Sequence, residues 1–408
     1  MKYVIIGASI AGVAAVEGIR SVDREGSITM LSDERYPAYG RPLISYYLRG
    51  ETTEEKMKYR PDSFYTENKV DLRLLEEAIA IDPVKREVKT KKGSYPYDKL
   101  LVATGSSPFV PPMKGLEQVK EKFFFMTKDD ALSLERALSK DKKVLVVGAG
   151  LIGLKCVEGI FEKVGSVTVV DLANRVLPSI LDEEGSALVK NFLAEKGVKF
   201  YLDDSVSAFS ADTALLKSGE KVEFDLLVLA VGVRPNISLV KEAGGEIDRG
   251  IVTDDTSRTS LPDVYAAGDC ATSVDSLDGK RKVLAILPNA YYQGRTAGRN
   301  MAGEEAHLTD SIPENAIGFF GLHVLTAGAY EGESYFERGE NSYKRLFVKD
   351  GVLKGFILVG EVERAGIYTA MVREKTPVSE VDFAKMRKAP TLSAYPKETR
   401  TRQLAREV

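Results

Sequence analysis

Two glycine-rich stretches hold the residues whose types and spacing could do chemistry. The first, Gly7-x-Ser9-x-x-Gly12, follows the apolar run Tyr3-Val-Ile-Ile6 and leads into an Ala-rich segment. The second, Gly148-x-Gly150-x-x-Gly153, follows Lys143-Val-Leu-Val-Val147. In such a stretch the first glycine permits a tight turn from strand to helix, and the last lets helix and strand pack closely. The middle position lets backbone approach a pyrophosphate, and Ser9 is the smallest substitute there that adds a side-chain donor. The anion then sits on the helix N-terminus, where free N–H groups and the dipole favour it. A single such pattern is weak evidence. Two in one chain, each between a strand and a helix, point to two bound dinucleotides.

Other chemistry-bearing residues fall at matching offsets. After the strand expected over Ser27–Leu31 come Asp33 and Glu34, which compete for the ribose hydroxyls of an adenosine half. After Val167–Val170 comes Asp171, at nearly the separation expected for that acid in the second copy. An acid there repels a 2′-phosphate and favours NADH over NADPH, although Arg175 nearby works the other way. The stretch Tyr36-Pro-Ala-Tyr-Gly-Arg-Pro-Leu43 reads as a loop, not helix or central strand, and offers Arg41 to a phosphate or ribose. An apolar strand from Tyr97 ends in Ala103-Thr104-Gly105, whose small residues suit a close backbone approach to a ligand. The run from Asp225 to Gly232 parallels it, and a third apolar run stops at Gly268-Asp269.

The elements that must position these residues follow from pattern and punctuation. Helix is expected around Thr53–Glu67 and strands over Val70–Ile81 and Glu87–Thr90. A helix opening at Pro288-Asn289 is expected, and a hairpin with an Asp-Gly turn over Leu346–Val359. The chain has 408 residues, too many for one core. The Pro108–Pro112 passage reads as a linker. Lys and Arg total 57 against 60 Asp and Glu, a balance that leaves no footprint for nucleic acid. No run of eighteen apolar residues offers a membrane span, and no leader is expected at the N-terminus, so the expected location is cytoplasmic. Two cysteines, Cys156 and Cys270, and two histidines, His307 and His323, argue against disulfide scaffolds, Cys-ligated clusters and His-based metal sites.

In the order GxSxxG, ATG, GxGxxG, AxGxxPN and YAAGD, the chain resembles the pyridine nucleotide–disulfide oxidoreductase superfamily of two-dinucleotide flavoproteins. Within it, YPAYGRPLIS and LPNAYYQGRTAGRNMAG are similar to rubredoxin reductases, ferredoxin reductases and the flavin domain of NADH nitrite reductases. The resemblance implies an α/β fold with two doubly wound dinucleotide-binding domains and a C-terminal α+β domain. The implied division is an FAD domain in two parts, 1–110 and 245–316, an NAD domain over 111–244, and an interface domain over 317–408. It implies FAD contacts from Gly7, Ser9, Ile10, Ala11, Gly12, Asp33, Glu34, Arg41, Pro42, Ala78, Ala103, Thr104, Gly105, Asp269 and Asn289. The helix from Asn289 would aim its N-terminus at the flavin N1–C2=O edge, where negative charge accumulates. Gly148, Gly150, Leu151, Ile152, Gly153, Asp171 and Gly232 would line the NAD(H) site.

Three departures bear on mechanism. No cysteine precedes Cys156, so the redox thiols of many relatives are missing, and both cysteines read as packed and inert. Tyr46 stands where many relatives have a lysine near flavin N5. Lys155 stands where the helix opening usually has a glutamate. Lys155 is therefore expected to supply the cation near N5, as the one catalytic residue; the alternative is a solvated helix lysine. The reaction implied is hydride transfer from NADH, with electrons then passing to a small redox protein of rubredoxin or ferredoxin type. Alternatives are an NADH oxidase or quinone reductase, and an electron-input subunit of a larger complex. A basic tail (Lys385, Arg387, Lys388, Lys397, Arg400, Arg402 and Arg406) reads as a solvated tail or a dimer contact, the alternative being a surface that steers an acidic partner. The resemblance leaves the oligomeric state open, with a homodimer the assembly that such C-terminal domains often form in relatives.

Overall fold

A computed structural model describes residues 1–309 and 311–404. They form two compact units, one comprising residues 1–109, 126–128 and 233–311, the other 110–125, 129–232 and 312 onward.

The first unit is built on a five-stranded parallel sheet. Its strands run in the order Val70–Arg73, Ser27–Leu31, Lys2–Ile6, Lys99–Val102, Val264–Ala266. Strands covered on both faces read as unbroken apolar runs, and all but the first residue of Lys2–Ile6 is buried. Each fully buried Ile or Leu here, such as Ile5 or Leu101, contributes roughly 1.5–3 kcal/mol. Helix Ile10–Val22 crosses helix Leu287–Met301 at very close range. A Cβ on Gly294 or Gly298 would lie 2.1 or 2.2 Å from the carbonyl oxygens of Ala11 and Ala15. An antiparallel sheet of Ala78–Asp82, Glu87–Thr90 and Ser94–Pro96 is inserted ahead of the Lys99–Val102 strand.

The second unit repeats that plan. Its parallel sheet runs Lys199–Leu202, Ser166–Asp171, Lys143–Val147, Leu226–Leu229, Lys122–Phe123. A three-stranded antiparallel sheet, Val206–Phe209, Thr213–Leu216 and Lys221–Glu223, is again inserted ahead of the fourth strand. The unit also holds a five-stranded antiparallel sheet, ordered Glu314–Phe319, Leu322–Gly328, Val352–Val359, Tyr343–Lys349, Glu333–Arg338, with helix Ala365–Arg373 packed on it. The expected Asp-Gly turn is present, with Asp350 and Gly351 both at positive φ, the geometry a tight hairpin requires. The fold is thus α/β, with two doubly wound parallel sheets and a C-terminal antiparallel sheet with helices.

Three local expectations need correction. The helix over Thr53–Glu67 is two short helices, Glu54–Met57 and Ser63–Glu67, because Pro61 disfavours helical backbone in the residue before it. The strand over Val70–Ile81 is split between the two sheets, where Leu75 takes φ +52° and turns the chain. The stretch around Arg41 is not all loop. Arg41–Leu43 forms a 3-10 turn with Pro42 in its first positions, where a missing N–H costs nothing. Of the basic tail, Lys385, Arg387 and Lys388 lie on helix Phe383–Lys388, and Lys397, Arg400 and Arg402 on helix Lys397–Leu404. Arg406 falls outside the described residues.

Candidate dinucleotide-binding sites

In the first unit Gly7 leaves the central strand at φ +112°, which only glycine adopts without strain. Its N–H donates to Leu31 O at 2.8 Å, and the Ala103 N–H reaches Ile6 O at 2.7 Å. A Cβ on Gly7 would fall 2.1 Å from Ala103 O, and one on Gly12 2.1 Å from Gly7 O. Strand end, helix start and the Ala103-Thr104-Gly105 loop are thereby pressed together. Ser9 is the helix N-cap, with Ile10 and Ala11 next in the first turn, and its hydroxyl makes no capping bond. Free first-turn N–H groups suit an anion. Gly268 wedges against both helix starts: its Cβ would stand 3.3 Å from Ala11 Cβ and 3.7 Å from Ala290 Cβ. That wedge brings Asp269 to the same end of the sheet.

Asp269 accepts a hydrogen bond from Ser106 Oγ at 3.0 Å. Burial raises its pKa, while the Ser106 hydroxyl and the Arg41 cation work against that rise. Arg41 pairs with Glu34 and donates to Met126 O at 3.3 Å. Burial disfavours its charge, but Glu34, Tyr39, Asp33 and Asp269 outweigh burial and raise its pKa. Tyr39 OH donates to Glu34 Oε2 at 2.7 Å and accepts from the Lys128 N–H at 2.9 Å. Of the two competing acids, Glu34 is tied into this cluster and Asp33 is exposed. Asn289 is buried: it donates to Leu284 O at 3.0 Å and accepts from Ser311 Oγ at 2.8 Å. Its side chain thus anchors the helix start, whose tip is the exposed pair Leu287 and Pro288. Ala78 lies apart in sequence, at the start of the inserted sheet opposite Thr90.

The second unit reproduces the turn almost atom for atom. Gly148 has φ +118°, its N–H donates to Val170 O at 2.8 Å, and the Ala230 N–H reaches Val147 O at 2.8 Å. Gly153 is as tight against Gly148 as Gly12 is against Gly7, with a Cβ clash at 1.9 Å. Gly150 caps the helix Leu151–Ile160, which opens with Leu151 and Ile152, and a Cβ on Gly150 or on Gly232 would meet nothing within 4 Å. Asp171 accepts from the Ala149 N–H at 2.5 Å and from the Ala173 N–H at 2.7 Å, so the acid is bonded to the glycine turn itself. Leu172 beside it is exposed.

Lys155 is not a solvated helix lysine. Its side chain is 13% exposed, its ammonium pairs with the buried Glu158 one turn on, and it donates to Gly318 O at 3.0 Å. Glu158 also accepts from the Phe320 N–H at 2.7 Å. Sequence reasoning missed Glu158, Tyr39, Ser106 and Asn236. The i,i+3 spacing of Lys155 and Glu158 was a usable signal, and Asn236 and Tyr39 both lie inside the motifs already singled out. Ser106, one residue past Ala-Thr-Gly, carried no signal of its own.

Two strand–glycine turn–helix cradles, each with an acid after its second strand, define a two-dinucleotide oxidoreductase. The residues present fit both groups: uncapped helix starts and open backbone at Gly105 and Gly150 leave room for pyrophosphates. The chain belongs to the pyridine nucleotide-disulphide oxidoreductase family, whose model matches residues 1–294, and is an FAD- and NAD(P)H-dependent oxidoreductase. It is 30% identical over 392 residues to the NADH-dependent phenylglyoxylate dehydrogenase subunit epsilon of Aromatoleum evansii, covering 93% of each chain. It is 33% identical over 310 residues to the rubredoxin-NAD(+) reductase of Pseudomonas putida, covering 74% of this chain and 80% of that one. Among solved structures, the covalent putidaredoxin reductase–putidaredoxin complex has a chain of the same fold, at TM-score 0.87 and 24% identity, covering 100% of this chain and 99% of that one. No helix among the described residues is long and apolar enough to cross a membrane.

Proposed function

We propose that this protein is an NADH:acceptor oxidoreductase whose acceptor is a small electron-transfer protein of rubredoxin or ferredoxin type. Bound FAD would supply the step from two-electron donor to one-electron acceptor. The observation that carries the reading is the state of the thiols. Cys156 and Cys270 are free and fully buried, and burial pushes both thiol pKa values up. A buried, protonated thiol is a poor nucleophile and redox relay, so electrons must leave to an external acceptor. The likeness to a rubredoxin reductase supports the acceptor class.

In this reading the first cradle holds FAD and the second NAD(H), through the residues assigned to each from the sequence. Segments 1–110 and 245–316 serve as the FAD domain, 111–244 as the NAD domain and 317–408 as an interface domain, in a cytoplasmic homodimer. Lys155, paired to Glu158, is the cation beside the nicotinamide. Asp171 makes NADH the preferred donor. A second reading, an electron-input subunit of a larger complex, is favoured by the near full-length match to a dehydrogenase subunit.

Anaerobic stopped-flow mixing with NADH and NADPH, then with candidate acceptors, tests these readings. Fast bleaching by NADH with rapid reoxidation by rubredoxin or ferredoxin, and slow reoxidation by air, is the expected result. Rapid reoxidation by oxygen alone would make the protein an oxidase. A stable complex pulled from its own cell extract would favour the subunit.

A further inference from the structure

We propose that Ser106, held in place by Asn236, is a positioning residue that orients Asp269 and keeps it an acceptor for a carbohydrate hydroxyl of the bound dinucleotide. The inference rests on the reading that Asp269 faces FAD, and it deepens that reading by two residues that no family motif marks for this role.

Asn236 grips the Thr104–Ser107 segment at four points. Its N–H donates to Gly105 O at 2.9 Å and its Nδ2 donates to Thr104 O at 2.8 Å. Its Oδ1 accepts from Ser107 Oγ at 2.8 Å, and its own carbonyl accepts from Thr104 Oγ1 at 2.7 Å. Antiparallel pairing of Ser106–Pro108 with Val233–Pro235 sets the register that makes this grip possible. The consequence is a division of labour. The hydroxyls of Thr104 and Ser107 both donate to Asn236. The Ser106 hydroxyl, between them, turns to Asp269 Oδ2 at 3.0 Å. Thr104, assigned to the cofactor from its motif, thus donates its hydroxyl proton to Asn236.

The direction of the Ser106 bond matters. A hydroxyl that donates to a carboxylate favours the ionised form, and an ionised carboxylate can only accept. Asp269 needs that support, because burial raises its pKa. The other group acting on it is the Arg41 cation, which also favours the carboxylate. Arg41 is shared with Glu34, Tyr39 and Asp33, so Ser106 is the donor dedicated to Asp269.

The test is FAD titration of the deflavinated full-length protein, followed by flavin fluorescence between pH 5 and pH 8, with thermal melts of each variant. Ser106→Ala is expected to weaken FAD binding roughly tenfold at neutral pH. It should also raise the pH at which affinity is half lost by about one unit, since the carboxylate loses its donor. Ser106→Thr keeps the hydroxyl and should restore both values. Asn236→Ala should move both in the same direction by less. An unmoved pH midpoint in Ser106→Ala, or a threonine variant as weak as the alanine one, overturns the proposal. Asp269→Asn separates the two layers. If it binds FAD like the parent, the placement of Asp269 at FAD is wrong; if it weakens binding while Ser106→Ala does not, only the relay fails.

Discussion

The two cradles of this chain are built on one backbone and finished differently. Gly7 and Gly148 share a left-handed φ of +112° and +118°, the same 2.8 Å bond to the second strand, and the same contact with an alanine carbonyl from the fourth. The positions that diverge include those that face the ligand in the proposed assignment. Ser9 stands where the second cradle has Gly150. By strand register Ser32 stands where it has Asp171, because Leu31 lies opposite Ile6 as Val170 lies opposite Val147. The first cradle's acid is therefore displaced to Glu34, which is locked to Arg41 and Tyr39. The second cradle's acid bonds directly to the glycine turn. The difference separates two kinds of constraint. Backbone close to backbone tolerates no side chain, so the glycines repeat. Groups that meet the ligand answer to its chemistry and residence, and in the proposed assignment a resident FAD is gripped by a rigid cation cluster while an exchanging NAD(H) meets a barer turn.

The most drastic way to break the comparison is to place a methyl at the shared glycine. Gly7→Ala and Gly148→Ala each impose an unfavourable φ and a clash near 2 Å with backbone. Each should cost on the order of 3 kcal/mol or more. The consequences should differ: Gly7→Ala yields protein without flavin absorbance, and Gly148→Ala yields yellow protein that NADH does not bleach. Loss of flavin from both would mean the cradles are not separately assigned.

Sharper contrasts come from the positions that diverge. Glu34→Ala leaves the partly buried Arg41 without its carboxylate, an effect of about 1–3 kcal/mol, and should release FAD on gel filtration. Asp33→Ala, at an exposed position, should change stability by less than about 0.5 kcal/mol. If the two behave alike, the Arg41 cluster is not what holds the ribose side. In the second cradle Gly150→Ala adds a methyl to open space, so the melting profile should shift by less than about 1 kcal/mol. NADH affinity, measured by quenching, should nevertheless fall at least tenfold, because that space is where a pyrophosphate must approach. In the proposed assignment, Asp171→Ala removes the acid that repels a 2′-phosphate. The ratio of kcat/KM for NADPH over NADH should then rise by roughly tenfold, and an unchanged ratio would move donor selection elsewhere.

How much of this was legible in the sequence follows the same division. The strand–turn–helix units were legible because their constraints are local: an apolar run, a glycine at a fixed offset, a small residue where helix meets strand. Ser27–Leu31 and Lys143–Val147 appear with the expected bounds for that reason. The run Val70–Ile81 was misread because a β-rich stretch does not say which sheet receives it, and Leu75 hands the chain from one sheet to another. Apart from Glu158, three positions from Lys155, the site residues that escaped notice have partners far off in sequence. Ser106 meets Asp269 across 163 positions and Tyr39 meets Lys128 across 89, and no spacing rule reaches that far. Lys155 was marked by its departure from the usual glutamate, yet its burial became visible only in three dimensions.

The smallest expected difference between the units lies in the turn that follows the helix of each glycine turn. After Ile10–Val22 the carboxylate of Asp23 accepts from the Glu25 and Gly26 N–H groups at 2.9 and 2.8 Å and from Tyr3 OH at 2.8 Å. Those bonds, the Gly26 and Glu25 amides foremost, lower its pKa to about 2. After Leu151–Ile160 the chain takes a 3-10 turn that includes Glu162, and the Gly165 N–H donates to the backbone carbonyl of Lys142 where Gly26 donates to a carboxylate. A carboxylate whose folded pKa is depressed stabilises the fold fully above its unfolded value, about 4, and loses that contribution as pH falls toward 2. Asp23→Asn should therefore lower the urea midpoint of the first unit near pH 6, with the gap to the parent closing between about pH 4 and pH 2. Tyr3 lies in the first unit, and a change in its fluorescence would report that transition. A gap that stayed constant across this range would mean that the turn depends on the shape of Asp23 and not on its charge.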